Sequence, residues 1–208
     1  MKGDIMNSDF THIFHAGAPD KPVLLLLHGT GADEHDLVGL GQSLVPDWSI
    51  LSPRGRVQEN GMNRFFKRFA DGSFDLDDLH ARTAELVNFI TEARAHYHIA
   101  ERPIYTLGYS NGANIAANIL LTHSTTLDGA VLLRALLPDE PTATPDLQHK
   151  KILLLAGLFD QMIPTDKTER LAALLQQAHA DLTFITKPAT HGLTQSDMES
   201  MQEWFATL

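Results

Sequence analysis

Nothing in this 208-residue sequence limits the fold more than the stretch from Pro103 to Leu121. An apolar run, Pro103 to Leu107, leads into Leu107-Gly108-Tyr109-Ser110-Asn111-Gly112-Ala113-Asn114, and an Ala-rich run, Ala113 to Leu121, leads out. The centre reads Gly-x-Ser-x-Gly between a predicted strand and a predicted helix. A chain that passes from strand to helix in so few residues must turn sharply at Ser110, and its neighbours then crowd each other. Gly108 and Gly112 carry no Cβ, so they permit that approach. The turn lifts the serine hydroxyl to the tip of a sheet and aims the next helix N-terminus at it. A chance match in a surface turn is the bland alternative. The rest of the chain decides between them, by whether it supplies a base, an acid and amide donors in a workable order.

In chain order, Thr11 to His15 alternates weakly and suits an edge strand. Pro22 to Leu27 is continuously apolar, as strands buried on both faces of a parallel sheet are. It ends at His28-Gly29-Thr30-Gly31. Asp33 to Leu44 carries Leu37, Val38, Leu40 and Leu44 at helical spacing, with Asp33, Glu34 and Asp36 where a first turn favours negative charge. Trp48 to Leu51 predicts a short strand. Arg54 to Gly72 has no clean periodicity and reads as a long irregular excursion with basic and aromatic residues. From Asp77, the positions Leu79, Thr83, Leu86, Ile90, Ala93 and Tyr97 mark one face of a helix ending near His98. Strands follow at Ile104–Leu107, Gly129–Leu133, Ile152–Ala156 and Leu182–Thr186, with helices at Asn111–Leu121 and Thr165–Ala178. Thr194-x-x-Asp197 has the form of a capping box before a last helix containing Met198, Met201, Trp204 and Phe205. Strands alternate with helices throughout, which predicts an α/β fold with a mostly parallel sheet. Residues 1–208 are expected to form one domain, with residues 1–9 a flexible N-terminal segment.

Composition excludes several chemistries. The net charge is 16 − 26 = −10 with no basic block, which argues against nucleic-acid binding. With no cysteine, neither a disulfide framework nor a thiolate site is possible. Met1 to Phe10 is polar and has no secretory h-region, and the longest apolar run, Val23 to Leu27, is far too short to span a membrane. A cytoplasmic protein without stable membrane insertion is the default expectation. His12-x-x-His15 and His96-x-His98 lack an accompanying cluster of ligands, so packing or solvated roles are expected and no metal. The exposed edge near Thr11 would allow a homodimer.

Sites on parallel sheets form beyond the carboxyl ends of the strands. Those ends offer His28-Gly29-Thr30-Gly31, then Ser110, then Asp160, then His191. Serine needs a neighbouring base to act as a nucleophile, and His191, in a Gly-bounded loop, fits that role. Asp160 would hold the imidazole tautomer. The alternative is that it merely caps the turn before Ile163-Pro164, and Asp139 and Asp166 compete for the acid role. Two backbone N–H groups should face the developing oxyanion: Asn111, which follows the serine, and Thr30 in the loop after the second strand. His28 is expected to brace that loop rather than act as base.

Leu27-His28-Gly29-Thr30-Gly31-Ala32-Asp33-Glu34, Ser52-Pro53-Arg54-Gly55, Asn60-Gly61-Met62-Asn63-Arg64-Phe65-Phe66, Gly108 to Asn114 and His191-Gly192-Leu193 together resemble the bacterial phospholipase/carboxylesterase family, which is related to acyl-protein thioesterases. The likeness is greatest to its small bacterial serine hydrolases, including hydroquinone-resistance-associated and metal-stress-induced members, and covers the chain after about Phe10. It implies an α/β-hydrolase fold with no large lid and a serine hydrolase acting on a small-molecule carboxylic ester, without a cofactor. By the same resemblance Ser110, Asp160 and His191 match the triad, and Thr30 and Asn111 the oxyanion positions. The segment Arg54–Phe66 matches the part that shapes the substrate cleft. Arg54, Arg64, Phe65, Phe66, Met162 and Leu193 are the expected substrate contacts, with a surface role equally open to the two arginines. Relatives that act as thioesterases carry Gln where Asn111 stands and Gly-Gly where Gly112-Ala113 stands, so protein deacylation is not implied. Thioesterase or lysophospholipase action on longer chains, and a non-catalytic small-ligand binder on the same fold, are the alternatives.

Overall fold

The structure, a computed structural model, describes residue 6 and residues 9–208. Apart from Met6 and Asp9, the expected flexible segment 1–9 lies outside the described residues. Strand β1 (His12–His15) runs antiparallel to β3 (Ser49–Pro53) at one edge of a seven-stranded sheet. From β3 the sheet continues through β2 (Val23–Leu27), β6 (Ile104–Tyr109), β7 (Gly129–Leu133), β8 (Lys151–Gly157) and β9 (Asp181–Lys187), all parallel. These are the predicted strands, with ends shifted by no more than two residues.

The apolar runs follow from burial on both faces. Every residue of β2 and of β7 is buried. Val23, Leu25 and Leu27 face one core, shared with α2 (Leu76–His96), α3 (Asn111–Thr122) and α4 (Thr165–Gln177). Leu24 and Leu26 face the other, shared with α1 (Val38–Leu44) and α5 (Gln195–Phe205). Helix α2 buries Leu79, Thr83, Leu86, Ile90 and Ala93 of the expected stripe, together with Phe89, while Tyr97 is its C-cap; its N-cap Asp75 accepts the Asp78 N–H. Ala113, Ala116 and Ala117 of α3 are fully buried, which lets that helix lie close to the sheet.

Two segments differ from expectation. The helix predicted from Asp33 begins only at Val38. The Asp33 carboxylate accepts the His35 N–H at 2.9 Å, and the Asp36 and Val38 amides bond three residues back. Such side-chain-to-backbone bonds compete with helix. The excursion after Arg54 is also not irregular. Val57–Glu59 (β4) and Met62–Arg64 (β5) form an antiparallel hairpin across Asn60-Gly61, where φ is 52° and 79°. Both central residues are left-handed, the geometry a two-residue hairpin requires. Strands of three residues are too short to show a period.

The order of strands locates the crevice. From β2 the chain moves toward β3 and β1, whereas from β6 it moves the other way, through β7, β8 and β9. The carboxyl ends of the adjacent strands β2 and β6 therefore form a switch point. The loops that leave there carry His28–Gly31 and Ser110.

Candidate active site

Ser110 follows β6 directly and precedes α3, with φ 53° and ψ −113°. Left-handed backbone at a residue with a side chain is strained. Its surroundings enforce it: the Ser110 N–H donates to Leu133 O at 2.9 Å, from the end of β7. A Cβ on Gly108 would come within 2.7 Å of Ala113 Cα, and one on Gly112 would strike the Leu27 and His28 carbonyls. Both glycines are thus required by close approach of backbone.

Three loops from separate strand ends meet here. His191 Nε2 lies 3.0 Å from Ser110 Oγ, and His191 Nδ1 lies 2.8 Å from Asp160 Oδ2. The Asp160 side chain is buried, while that of His191 is 18% exposed and so open to a reactant. Asp160 also caps the following turn: Oδ1 accepts the N–H groups of Met162 (2.8 Å) and Ile163 (3.1 Å). The two roles weighed for this carboxylate are thus compatible, one per oxygen: the turn amides hold Oδ1, which orients the carboxylate so that Oδ2 faces His191. The competing acids lie elsewhere. Asp139 bonds His80 at 2.9 Å, and Asp166 sits exposed in the first turn of α4.

The loop after β2 brings Thr30 to the same edge. Among the described residues neither the Thr30 nor the Asn111 backbone N–H meets an acceptor. Asn111 opens α3, so its N–H also carries the positive end of the helix dipole. The Asn111 side chain faces the hairpin segment instead, accepting the Phe65 N–H at Oδ1 (2.7 Å). The Thr30 loop is clamped by that segment. Asn63 O accepts the Gly31 N–H (2.9 Å), Asn63 Nδ2 donates to Ala32 O (2.8 Å), and Arg64 Nη1 donates to Thr30 Oγ1 (2.7 Å). His28 braces it from beneath. The Gly55 N–H donates to His28 Nε2 (2.9 Å), so Nε2 holds a lone pair and Nδ1 carries the proton given to Gly29 O (2.7 Å). Burial pushes the His28 pKa below its ordinary 6.5, against the opposing pull of the Gly29 bond and of Asp36, Asp33 and Glu34. The ring is neutral and serves as a strut.

Of the six side chains expected to touch substrate, Met162 and Leu193 are exposed beside Asp160 and His191 in the chain. The other four are engaged differently. Phe65 and Phe66 are shut off from solvent, packed against His28 and Phe74. Arg64 is buried and positions Thr30. Arg54 forks onto the buried Glu34 (Nη2 to Oε1 2.7 Å), which holds that carboxyl below its usual range.

Two residues that matter here escaped the sequence reading. Tyr109 is pushed up in pKa by burial, so its phenol keeps its proton and donates to His191 O at 3.0 Å. Arg134, with φ 54°, is fully buried with Asp197. A charge standing alone in Val131-Leu132-Leu133-Arg134-Ala135-Leu136-Leu137 was the available signal. Among the described residues, no group of three His, Asp or Glu is arranged to hold a metal ion, and no helix is long and apolar enough to cross a membrane.

Comparison with known proteins gives a consistent result. The family model described as Phospholipase/Carboxylesterase matches residues 8–208. A Bacillus subtilis (strain 168) protein that bears the hydrolase name MhqD is 41% identical over 194 residues, covering 93% of this chain and 96% of that protein. A carboxylesterase from Bacillus cereus superposes with a TM-score of 0.93 at 41% identity, over 97% of this chain and 95% of its own. A carboxylesterase from Mesorhizobium loti does so with a TM-score of 0.87 at 27% identity, over 98% of each chain.

Proposed function

The chain belongs to the phospholipase/carboxylesterase family of α/β-hydrolases, and from that premise we propose that it hydrolyses carboxylic esters of small or short-chain acyl groups through an acyl-serine intermediate. The observation that carries the reading is the pair of contacts linking Asp160, His191 and Ser110 at 2.8 and 3.0 Å. A serine hydroxyl with no base beside it is a poor nucleophile, and here the base is itself oriented by a buried carboxylate.

In the proposed reaction His191 Nε2 takes the Ser110 proton as Oγ attacks the ester carbonyl. Negative charge gathers on the carbonyl oxygen and is met by the Thr30 and Asn111 N–H groups, which have no other acceptor among the described residues. The imidazolium, paired with Asp160, returns its proton to the leaving alkoxide, and the alcohol departs. Water then gives a proton to His191 and its oxygen to the acyl carbon. The carboxylic acid leaves, and Ser110 regains its proton. No step calls for a metal or organic cofactor.

Exposed apolar side chains stand close in the chain to Asp160 and His191. Leu158, Phe159 and Met162 flank Asp160, Leu193 follows His191, and the four are 36–63% exposed. Large apolar side chains grouped around reactive loops suit an apolar acyl or alcohol group. Turnover of a short-chain aryl ester should fall by on the order of 10⁶ in Ser110→Ala, with the fold intact by circular dichroism. Near wild-type turnover would overturn the assignment. Labelling by a fluorophosphonate at Ser110, suppressed in His191→Ala, separates a working nucleophile from a ligand-binding protein. Rates over esters, thioesters and lysolipids of graded chain length then define the substrate.

A further inference from the structure

We propose that Arg134 is a positioning residue for the base: it fixes His191 by gripping the backbone on both sides of it. The inference rests on the role of His191 proposed above. Arg134 follows β7, and its side chain is wholly excluded from solvent. A guanidinium has five N–H bonds, and all five are used. Nε donates to Thr190 O (3.0 Å) and one Nη2 proton to Gly192 O (2.9 Å), the carbonyls immediately before and after His191. The carbonyl between them, His191 O, accepts from Tyr109 at 3.0 Å. Three successive carbonyls of the loop are therefore held by side chains rooted in β6 and at the end of β7.

The remaining donors anchor the guanidinium itself. Nη1 reaches Leu155 O (3.4 Å) and Asp197 Oδ1 (3.1 Å), and Nη2 reaches Asp197 Oδ2 (2.7 Å). Asp197, the third residue of α5, is fixed in turn by the capping box, where it accepts the Thr194 N–H at 2.8 Å. Burial opposes its charge, but the bonds from Arg134 and Thr194 outweigh that and hold its carboxyl below the usual range. The pair is thus charged, and its fork fixes the plane of the guanidinium.

The placement also ties the base to the nucleophile. Leu133, the residue before Arg134, accepts the Ser110 N–H through its carbonyl at 2.9 Å. One dipeptide, Leu133-Arg134, thereby sets Ser110 with its backbone and the His191 loop with its side chain. A buried ion pair is poor support for stability as such, because desolvation offsets the attraction. Its value here is directional: a planar fork can hold two carbonyls and a carboxylate at fixed angles, and an ammonium with three protons cannot.

The test pairs Arg134→Met with Asp197→Asn, so that no unpaired charge is left buried and the Thr194 N–H keeps an acceptor. A base displaced by about 1 Å costs on the order of 10²-fold, so kcat should fall about 10- to 100-fold while KM stays within about threefold. The low-field proton resonance of His191 Nδ1–H, bonded to Asp160, should broaden or vanish, whereas a merely structural role would leave it in place. That resonance needs no turnover, so it reports on Arg134 even if the substrate assignment fails. Should the double variant not fold, Arg134→Lys keeps a cation against Asp197 and is expected to give the same two effects. A folded variant with kcat within about twofold of wild type, or with lowered kcat and an unchanged resonance, overturns the proposal.

Discussion

Replacing Gly112 by alanine is the most demanding test of the close approach that creates the site. A Cβ built there lies 2.6 Å from His28 O and closer still to Leu27 O, and real Cβ contacts do not fall below 3.0 Å. The first contact alone requires 3.0 − 2.6 = 0.4 Å of movement, and the second requires more. Both obstacles are backbone, so no side chain can swing away. Either α3 retreats from the end of β2 or the Thr30 loop does, and the two proposed oxyanion amides, Asn111 and Thr30, sit on opposite sides of that contact. A shift approaching about 1 Å should lower kcat by on the order of 10²-fold. Overpacking should cost about 1–3 kcal/mol of stability. Two other glycines calibrate the effect. On Gly157 a Cβ would meet Thr190 O at 2.5 Å and Ala189 O at 2.6 Å, which presses on the His191 loop from below, whereas on Gly192 it would meet nothing within 4 Å. The expected ranking in kcat for a short-chain aryl ester is therefore Gly112→Ala lowest, Gly157→Ala between, and Gly192→Ala at wild type, with melting temperatures measured alongside. Gly112→Ala at near wild-type kcat, or Gly192→Ala as impaired as Gly112→Ala, would refute the reasoning.

Asp160→Asn should keep the turn, since an amide oxygen can still accept from Met162 and Ile163, but its NH₂ would donate to His191 Nδ1 and select the wrong tautomer. A fall in kcat of about 10⁴-fold with little change in melting temperature is expected, and a loss under tenfold speaks against the assignment. The His28 strut makes stability pH-dependent with a definite sign. Its folded pKa is lowered by burial, so below about 6.5 the unfolded chain takes up a proton that the folded chain refuses. Stability is complete above pH 6.5 and declines as the pH falls through the lower, folded value. The largest slope one such group can give is about 1.4 kcal/mol per pH unit. Glu34 and Asp197, whose carboxyls are held below their ordinary 4.5 and 3.8, contribute their own loss only at lower pH. Urea unfolding at pH 7.5 and 5 should therefore show a smaller decline in His28→Gln than in the wild type, and equal declines would remove His28 as the cause.

How far the sequence discloses this arrangement depends on the range of the interactions involved. The parallel strands were legible because burial on both faces forces an unbroken apolar run, as in Val23–Leu27 and Gly129–Leu133. Ser110 and Asp160 could be singled out because each follows such a run, and His191 because its Gly-bounded loop follows the last strand; the fold brings those three loops together. The hairpin at Val57–Arg64 was missed although Asn60-Gly61 announces its turn, since three-residue strands carry no period. Glu34 and Arg64 were misplaced for a deeper reason. A charged residue reads as solvated unless its partner is known, and here the partners are 20 and 34 residues away, Arg54 and the Thr30 hydroxyl. Local propensity cannot see such pairs.

The same distinction explains where the strain lies. Among the described residues, the non-glycine positions with positive φ are Asn60, His98, Ser110, Arg134, His149 and His179. Only Ser110 and Arg134 fall directly after strands of the seven-stranded sheet, on the neighbours β6 and β7. Each is pinned by a hydrogen bond to the next strand over: Ser110 N–H to Leu133 O, Arg134 N–H to Leu155 O. A left-handed residue at a strand end swings its side chain out of the pleat, and strain of this kind persists only where the surroundings over-determine it. In Ser110 it presents a hydroxyl to His191. In Arg134 it presents a guanidinium to the carbonyls flanking His191. If both distortions serve the same imidazole, relaxing either should disturb the same observable, the His191–Asp160 hydrogen bond. That bond is where the chemistry of the strand ends and the geometry of the sheet meet.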